Sequence, residues 1–449
     1  MMAGGGACWQ CGETGGHEAP AHVRQEEARL SSEVKCPGQS RSQDMCRICR
    51  SRNLHVYLDM GRTPLANSYL RADELGKEEF KEELAIQVCL DCGLSQLTKV
   101  VNPDLMFKHY LYVSSTTETF QSHCAELAKT AVAAARCQRG EWVLDIASND
   151  GCLLSKFRDI GMKVVGVDPA VNLAAEANQA GIPTLCDYWS TSSAEVVVSR
   201  FGRPKVITAT NVFAHADDLH EFLRGVDRCM ARHGIFVIEC PYVIDFIEKN
   251  EFDTAYHEHL SYIGIRPLQT LMAQHGMSLF DVEYFKDLHG GTIRVFVARR
   301  GDYPAHSNVQ AFLKKEEEFG IADAKRYREF GERVRANKEA LVGLVRQLDA
   351  DGKTIWAYGA SAKGNTLMNY FNIPTGLIPV AVDDNPKKWG WYTPGSHMRI
   401  ANIDELAQGK VDYLLLLAWN FESEIRRRCR AIHYAGRYIV PVPEARVIE

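Results

Sequence analysis

No apolar run in the 449 residues approaches the ~20 residues that a membrane-spanning helix needs; the longest aliphatic stretch, around Leu414 to Ala418, has the length of a core strand. The first 45 residues are Gly-, Glu- and Ser-containing and hold no apolar segment of signal-peptide type, so no secretory signal is read there. No long basic block occurs, and 52 Lys+Arg against 57 Asp+Glu leaves a net charge of −5. Nucleic acid and anionic membrane surfaces are therefore not expected as main partners. Neither the G-x-G-x-x-G spacing of a dinucleotide site nor the P-loop pattern is found, and no long-period repeat is evident. With 46% apolar and 24% charged residues, a largely disordered chain is excluded. The expectation is a soluble, cytoplasmic protein of about three domains' length, monomer or homodimer.

Cysteine is not scarce: there are 14. A disulfide framework is not expected in a cytosolic chain of this size. Cys46-Arg-Ile-Cys49 and Cys89-Leu-Asp-Cys92 instead form two C-x2-C pairs about forty residues apart. Each turn can project two thiolates, and two such turns make an all-sulfur tetrahedral shell for Zn2+. Four thiolates leave no open coordination position, so this metal would hold structure. A redox C-x-x-C would not need a second copy. A third pair, Cys8 and Cys11, has His17, His22 and Cys36 nearby, but its surroundings are poor in apolar residues. Residues 1–45 are read as a disordered leader.

Beyond the cysteine module, with its turn at Gly61-Arg62-Thr63-Pro64 and a strand over Leu84–Val88, a helix is expected from Glu118 to about Arg136. An alternation follows. Strands are predicted at Trp142–Ala147, Lys163–Val167, Val206–Thr210 and Ile235–Glu239, and helices at Cys152–Asp159, Ala170–Ala180 and from after Asp218 to Met230. Short apolar runs alternating with helices indicate an α/β fold with a parallel sheet covered on both faces. Strands continue beyond Leu279, with Thr292–Ala298 the clearest. A charged helical stretch between Val309 and Leu348 reads as a solvated face. Strands at Thr354–Tyr358, Ile378–Val382 and Tyr413–Ala418, with a helix at Ala362–Tyr370, then suggest a second, smaller Rossmann-like unit.

The first central strand runs into Asp145-Ile146-Ala147-Ser148-Asn149-Asp150-Gly151, a turn placed where such sheets bind ligands. The next strand ends at Asp168, where a carboxylate can accept both hydroxyls of a ribose. Together these features point to adenosine. Of S-adenosylmethionine, a nicotinamide or flavin nucleotide, and an empty structural turn, the flanking Asp145 and Asp150 favour the first, because carboxylates suit an ammonium or sulfonium better than a pyrophosphate.

Further motifs follow in order: Y-x-Y-x-S-S at Tyr110 and Tyr112, N-V-F-A-H from Asn211 to His215, Y-H-E-H-x-x-Y from Tyr256, H-G-G-T-I-R from His289, and G-A-S-A-K-G-N-T from Gly359. With the cysteine module and D-I-A-S-N-D-G, this series resembles the bacterial nucleotide-sugar C-methyltransferases, including the 3-C-methyltransferases of antibiotic deoxysugar pathways. The resemblance spans Cys46 to the C-terminus. It implies a zinc-binding module over residues 46–108, a class I methyltransferase domain over 109–288 and a Rossmann-like nucleotide-sugar-binding domain over 289–449.

By the family's pattern, His259 is the base that removes a proton beside a ketone. Glu258 orients it or anchors the sugar, Tyr256 donates to the substrate, and His215 stabilises the enolate or shares the proton. Tyr112, rather than Tyr110, is the substrate-side tyrosine, with core packing as the alternative for either. Cofactor contacts are expected from Asp145, Ala147, Ser148, Asn149, Asp150, Gly151, Asp168 and Asn211. His289 and Gly290 permit close approach of a ligand or form a plain turn. Gly359, Ser361, Lys363, Gly364, Asn365 and Thr366 form a candidate diphosphate cradle, with a helix cap plus a surface lysine as the alternative. Asp384 and Asn385 are candidates for ribose or base. His257 and His259 could share a face and bind a metal, but no carboxylate-rich partner motif accompanies them. Alanine at 147 stands where many methyltransferases carry glycine.

Overall fold

A computed structural model describes residues 39–108, 118–286, 288 and 290–449. The readings on residues 1–38, Tyr110, Tyr112 and His289 lie outside the described residues. The cysteine module contributes β1 (Ser40–Ser42), β2 (Leu54–Pro64), β3 (Lys81–Cys89), β4 (Ser95–Leu97) and β5 (Lys99–Val101). The middle of the chain contributes β6 (Trp142–Ile146), β7 (Lys163–Val167), β8 (Thr184–Leu185), β9 (Val206–Thr210), β10 (Ile235–Pro241), β11 (Ser261–Tyr262), β12 (Met277–Phe285) and β13 (Thr292–Arg299). The remainder holds β14 (Ile355–Tyr358), β15 (Val380–Val382), β16 (Arg399–Ala401), β17 (Tyr413–Leu416), β18 (Arg437–Val440) and β19 (Arg446–Ile448).

The central sheet has the order β12-β13-β10-β9-β6-β7-β8. Neighbours from β10 to β8 pair in parallel, while β13 runs antiparallel to both β10 and β12. This is the class I methyltransferase sheet. Val143, Leu144, Val164, Val165, Ile207 and Ile235–Ile238 are all buried, because helices cover both faces. The C-terminal sheet, β16-β15-β14-β17-β18-β19, has Rossmann order, with its switch point between β14 and β17. There Gly359 has φ +98°, and a Cβ on it would lie 2.8 Å from Cβ of Ala418, so the two loops meet only because it is glycine.

The third large sheet, β11-β4-β3-β2, borrows β11 from the methyltransferase segment. That strand stitches the cysteine module to the central domain. Residues Ser40–Glu449 accordingly form one compact unit.

Three expectations change. Ser40–Ser42, inside the segment 1–45 expected to be a disordered leader, is a strand that pairs antiparallel with β5. Gly61–Pro64 is not a turn between elements; it lies inside β2, which shifts register against β3 between Asp59 and Arg62. A bulge, with Gly61 at φ +76°, absorbs the irregularity. The charged stretch is two helices, Ser307–Phe319 and Ala324–Ala350, broken at Gly320. The second is not simply solvated: Tyr327, Phe330, Val334, Leu341 and Val345 form a buried stripe at helical spacing, and Tyr327 packs on Tyr57 of β2 at 4.8 Å.

The helix Glu118–Ala134 crosses a buried ion cluster on the central sheet. Arg294 of β13, 0% exposed, binds Glu239 of β10, Glu283 of β12 and Glu126 of that helix, each at 2.9 Å. Glu239 also lies 2.7 Å from His123. Removing one member of a buried pair leaves the other uncompensated. Arg294→Met is expected to lower stability by ~3–5 kcal/mol in urea denaturation.

Candidate active site

The sulfur atoms of Cys46, Cys49, Cys89 and Cys92 all lie within 4.8 Å of one another, with Cys46–Cys92 and Cys49–Cys89 at 3.5 Å. Sulfurs placed ~2.3 Å from a central ion at tetrahedral angles would be ~3.8 Å apart, so the cluster fits zinc. Close packing pushes the Cys46 thiol up to about 12, chiefly through its neighbour Cys89. A bound cation would allow all four sulfurs to ionise together. Among the described residues, no other group of three or more metal-binding side chains occurs.

A cavity of about 430 Å3 opens at the C-terminal ends of β6, β7 and β9. Asp145, Ala147, Ser148, Asn149, Asp168 and Asn211 line it. Asp150 and Gly151 support the turn from behind: Asp150 Oδ1 accepts from the Cys152 amide at 3.2 Å, and Gly151 precedes the helix Cys152–Asp159 at φ +80°. Ala147 has φ +57°, the left-handed conformation that explains why glycine suits this position. Asp168 Oδ2 accepts from the Asn149 amide and Oδ1 from the Ala170 amide, both at 2.8 Å. Each oxygen keeps a second lone pair of the kind a ribose hydroxyl uses.

Asp145 is 2% exposed and accepts from the Thr208 hydroxyl at 2.6 Å. Burial pushes its carboxyl up to about 7. Sequence reasoning missed the aromatic wall of Tyr188, Trp189 and Phe222, and the contribution of Val100, Val101 and Phe107 from the cysteine-module side. Tyr188 and Trp189 follow a strand of only two residues, too short to register as a pattern.

Beside this cavity the histidines gather. His215 lines the wall, its ring stacked 5.0 Å from that of His259, while the Tyr256 ring lies tilted at 3.9 Å from His259. Desolvation lowers His215 to about 4, so it is neutral at pH 7. His259 Nδ1 lies 2.6 Å from the Thr254 carbonyl oxygen. A carbonyl can only accept, so Nδ1 carries the proton and the neutral ring has its lone pair on Nε2. The buried Glu258 accepts a hydrogen bond from Asn67 at 2.6 Å. Neither Thr254 nor Asn67 carries a motif that would have marked it. His257 is buried away from this group, near the backbone of Glu82 and Glu83.

The remaining candidates are distributed as follows. A Cβ on Gly290 would collide with the Glu251 carboxylate, and one on Gly291 with that of Asp245, so these glycines make room for buried acids. Ser361 caps the helix Ala362–Phe371, accepting from the Gly364 amide at 3.2 Å. A Cβ on Gly364 would lie 2.8 Å from Cβ of Leu417. Asn365 and Thr366 are buried, and Asn365 donates to the Ala66 carbonyl at 2.7 Å. Lys363 stands 5.5 Å from the Trp419 ring. Asp384 binds Arg428 at 2.9 Å and accepts from the Tyr358 hydroxyl; Asn385 caps the following turn.

Two predictions follow from this geometry. Replacing Cys46 and Cys49 by Ser should release zinc, read by metal analysis, and lower the melting temperature, since metal binding is coupled to folding. Asp145 has a folded-state value of about 7 against 3.8 for the ordinary carboxyl. Its contribution to stability is therefore present at low pH and lost as pH rises through 7. Asp145→Asn is expected to shrink the fall in melting temperature between about pH 4 and pH 7, and to weaken S-adenosylmethionine binding ~10-fold at pH 8 by calorimetry.

Family models match the chain in three consecutive segments: a zinc binding domain over residues 46–107, a methyltransferase domain over 119–282, and a C-methyltransferase C-terminal domain over 287–443. The chain is 37% identical over 410 residues to the C-methyltransferase NovU of Streptomyces niveus, covering 90% of this chain and 97% of that protein. Solved structures that resemble it include the magnesium protoporphyrin IX methyltransferase of Synechocystis PCC 6803 with bound SAM, at 13% identity, 40% of this chain, 79% of that one and a TM-score of 0.31. The PH0226 protein of Pyrococcus horikoshii OT3 matches at 13% identity, 44% and 97% coverage and a TM-score of 0.33. With a zinc-binding cysteine cluster, a methyltransferase sheet and a specific C-terminal domain in that order, the chain belongs to the C-methyltransferase family.

Proposed function

We propose that this S-adenosylmethionine-dependent C-methyltransferase methylates the carbon α to the ketone of a nucleotide-diphosphate 4-keto-6-deoxysugar, in cytoplasmic deoxysugar biosynthesis. An sp3 C–H has no lone pair, so carbon must first be made nucleophilic. The observation that carries this reading is His259, held in the Nδ1–H tautomer by Thr254 beside a neutral His215 on the cavity wall.

Bound in the cavity, S-adenosylmethionine supplies an electrophilic methyl group on a sulfonium. His259 Nε2 takes the α-proton of the sugar and becomes imidazolium. The ketone becomes an enolate, and neutral His215 donates a hydrogen bond to its oxygen. The enolate carbon attacks that methyl group, the new C–C bond forming as the methyl–sulfur bond breaks and the neutral thioether S-adenosylhomocysteine leaves; His259 then releases its proton to solvent. Tyr256 and Glu258 hold the sugar ring, with Tyr112 as a further substrate-side group. Ser361, Lys363 and the amides at that helix start take the diphosphate, and Asp384 with Asn385 the nucleoside.

His259→Ala should leave S-adenosylmethionine affinity nearly unchanged and cut turnover at least ~10²-fold. In D2O, the wild-type enzyme should exchange the α-hydrogen of a dTDP-, GDP- or CDP-4-ketohexose, followed by mass spectrometry. A methylated product that keeps the α-deuterium of an α-deuterated substrate would point to oxygen or nitrogen as the acceptor and refute the carbon reaction.

A further inference from the structure

The carbonyl that orients His259 belongs to a short turn, and that turn is gripped from the other side by the C-terminal unit. Asp253 lies in the turn Phe252–Thr254 and is 0% exposed. Its Oδ2 accepts a hydrogen bond from the indole Nε1 of Trp419 at 2.6 Å. Its Oδ1 is buried and has no hydrogen-bond partner among the described residues. Lys363 stands over the Trp419 ring at 5.5 Å and acts electrostatically on both Asp253 and Glu251. Trp419 and Lys363 follow β17 and β14, whose C-terminal ends form the switch point of the Rossmann-like sheet.

The turn itself is held by few backbone bonds, Thr254 N to the Glu251 carbonyl and Ala255 N to the Phe252 carbonyl, each at 3.0 Å. The Thr254 hydroxyl also donates to the Glu251 carbonyl at 2.9 Å and Phe252 packs on Tyr370 and Phe371, while the indole is what holds the Asp253 carboxyl. Burial pushes the Asp253 carboxyl above its ordinary range, while Lys363 and the indole pull it back toward the charged form, in which this short hydrogen bond is charge-assisted. The next peptide carries the Thr254 oxygen, 2.6 Å from His259 Nδ1.

We infer that Trp419 is a positioning residue for His259: its indole N–H fixes Asp253, and through that turn the carbonyl that selects the Nδ1–H tautomer. The inference builds on the reading of His259 as base, yet its first measurement needs no sugar. It also gives the two Rossmann-like units a shared part. The loop that faces the switch point of one sets the proton position on the histidine of the other.

The test uses the full-length, zinc-loaded protein with 15N-labelled histidine, the His259 signals being assigned by their loss in His259→Gln. In the wild type, His259 should show a protonated Nδ1 and an unprotonated Nε2. In Trp419→Phe, which keeps the ring and removes the donor, a substantial Nε2–H population should appear. Turnover should fall about 10-fold or more, as misplacement of a reacting group does, while zinc content and S-adenosylmethionine affinity stay at wild-type values. Asp253→Asn keeps an acceptor for the indole and should retain the wild-type tautomer; Asp253→Leu should lose it. A wild-type tautomer in Trp419→Phe overturns the inference. So does a loss of zinc or of cofactor affinity in parallel with the tautomer change, which would mark general damage. A shifted tautomer in a protein that methylates no keto-sugar would uphold this role of Trp419 and refute the proposed reaction instead.

Discussion

The arrangement of the site depends on one loop, Leu65 to Tyr69, at the end of β2 in the cysteine module. Asn67 donates to Glu258 of the methyltransferase segment at 2.6 Å. The neighbouring Ala66 carbonyl accepts from Asn365 of the C-terminal unit at 2.7 Å, and the Tyr69 hydroxyl donates to the Ala360 carbonyl at 2.5 Å. Five residues thus fasten Glu258 to the Gly359–Thr366 segment. Leu65, Ala66 and Tyr69 are themselves buried, so packing and these hydrogen bonds hold the loop together. The four-sulfur cluster holds the module that carries this loop, so a structural metal bears on where Glu258 lies.

A second constraint is electrostatic. Burial pushes Asp145 and Glu251 each up to about 7 and His215 down to about 4. All three are displaced toward their neutral forms, as expected where desolvation outweighs pairing. A cationic ligand would reverse this at Asp145, because a charge brought into a low-dielectric wall stabilises the opposite charge there. At His215 the consequence differs. A neutral imidazole is a weaker hydrogen-bond donor than an imidazolium, but it holds its proton at a fixed place without repelling a protonated His259 5.0 Å away.

The central sheet is legible in the sequence because parallel strands buried on both faces read as unbroken apolar runs, and Val143–Leu144 and Ile235–Ile238 do so without ambiguity. The cysteine spacing is legible for a different reason: only a few geometries bring four sulfurs together. Gly61 misleads because a bulge uses the same residues as a turn. The helix Ala324–Ala350 misleads because its buried stripe is diluted by charge on the remaining faces. What escapes entirely is any contact made by backbone or by residues distant in the chain. Thr254 acts through its carbonyl, which no side-chain pattern can report. Asn67 lies 191 positions from Glu258, and Trp419 lies 166 from Asp253. The glycines of H-G-G-T were open to a ligand or a plain turn; in the folded chain the carboxylates of Glu251 and Asp245 occupy that space.

Orientation of His259 by a carbonyl rather than by a carboxylate has a chemical consequence. A carboxylate at Nδ1 fixes the tautomer and also stabilises the imidazolium, which makes the ring a stronger base that releases its proton less readily. A neutral carbonyl fixes the same tautomer and adds only a dipole. For deprotonation beside a ketone, the base must accept a proton in one half of the cycle and shed it to solvent in the other, so a poise near the working pH serves both halves. In the reaction we propose, the developing negative charge on the substrate oxygen does part of what a carboxylate would do, because it stabilises the imidazolium only while the enolate exists. Charge stabilisation confined to that interval lowers the barrier without deepening the ground state, which is why the proposed mechanism rests on the placement of the Thr254 carbonyl.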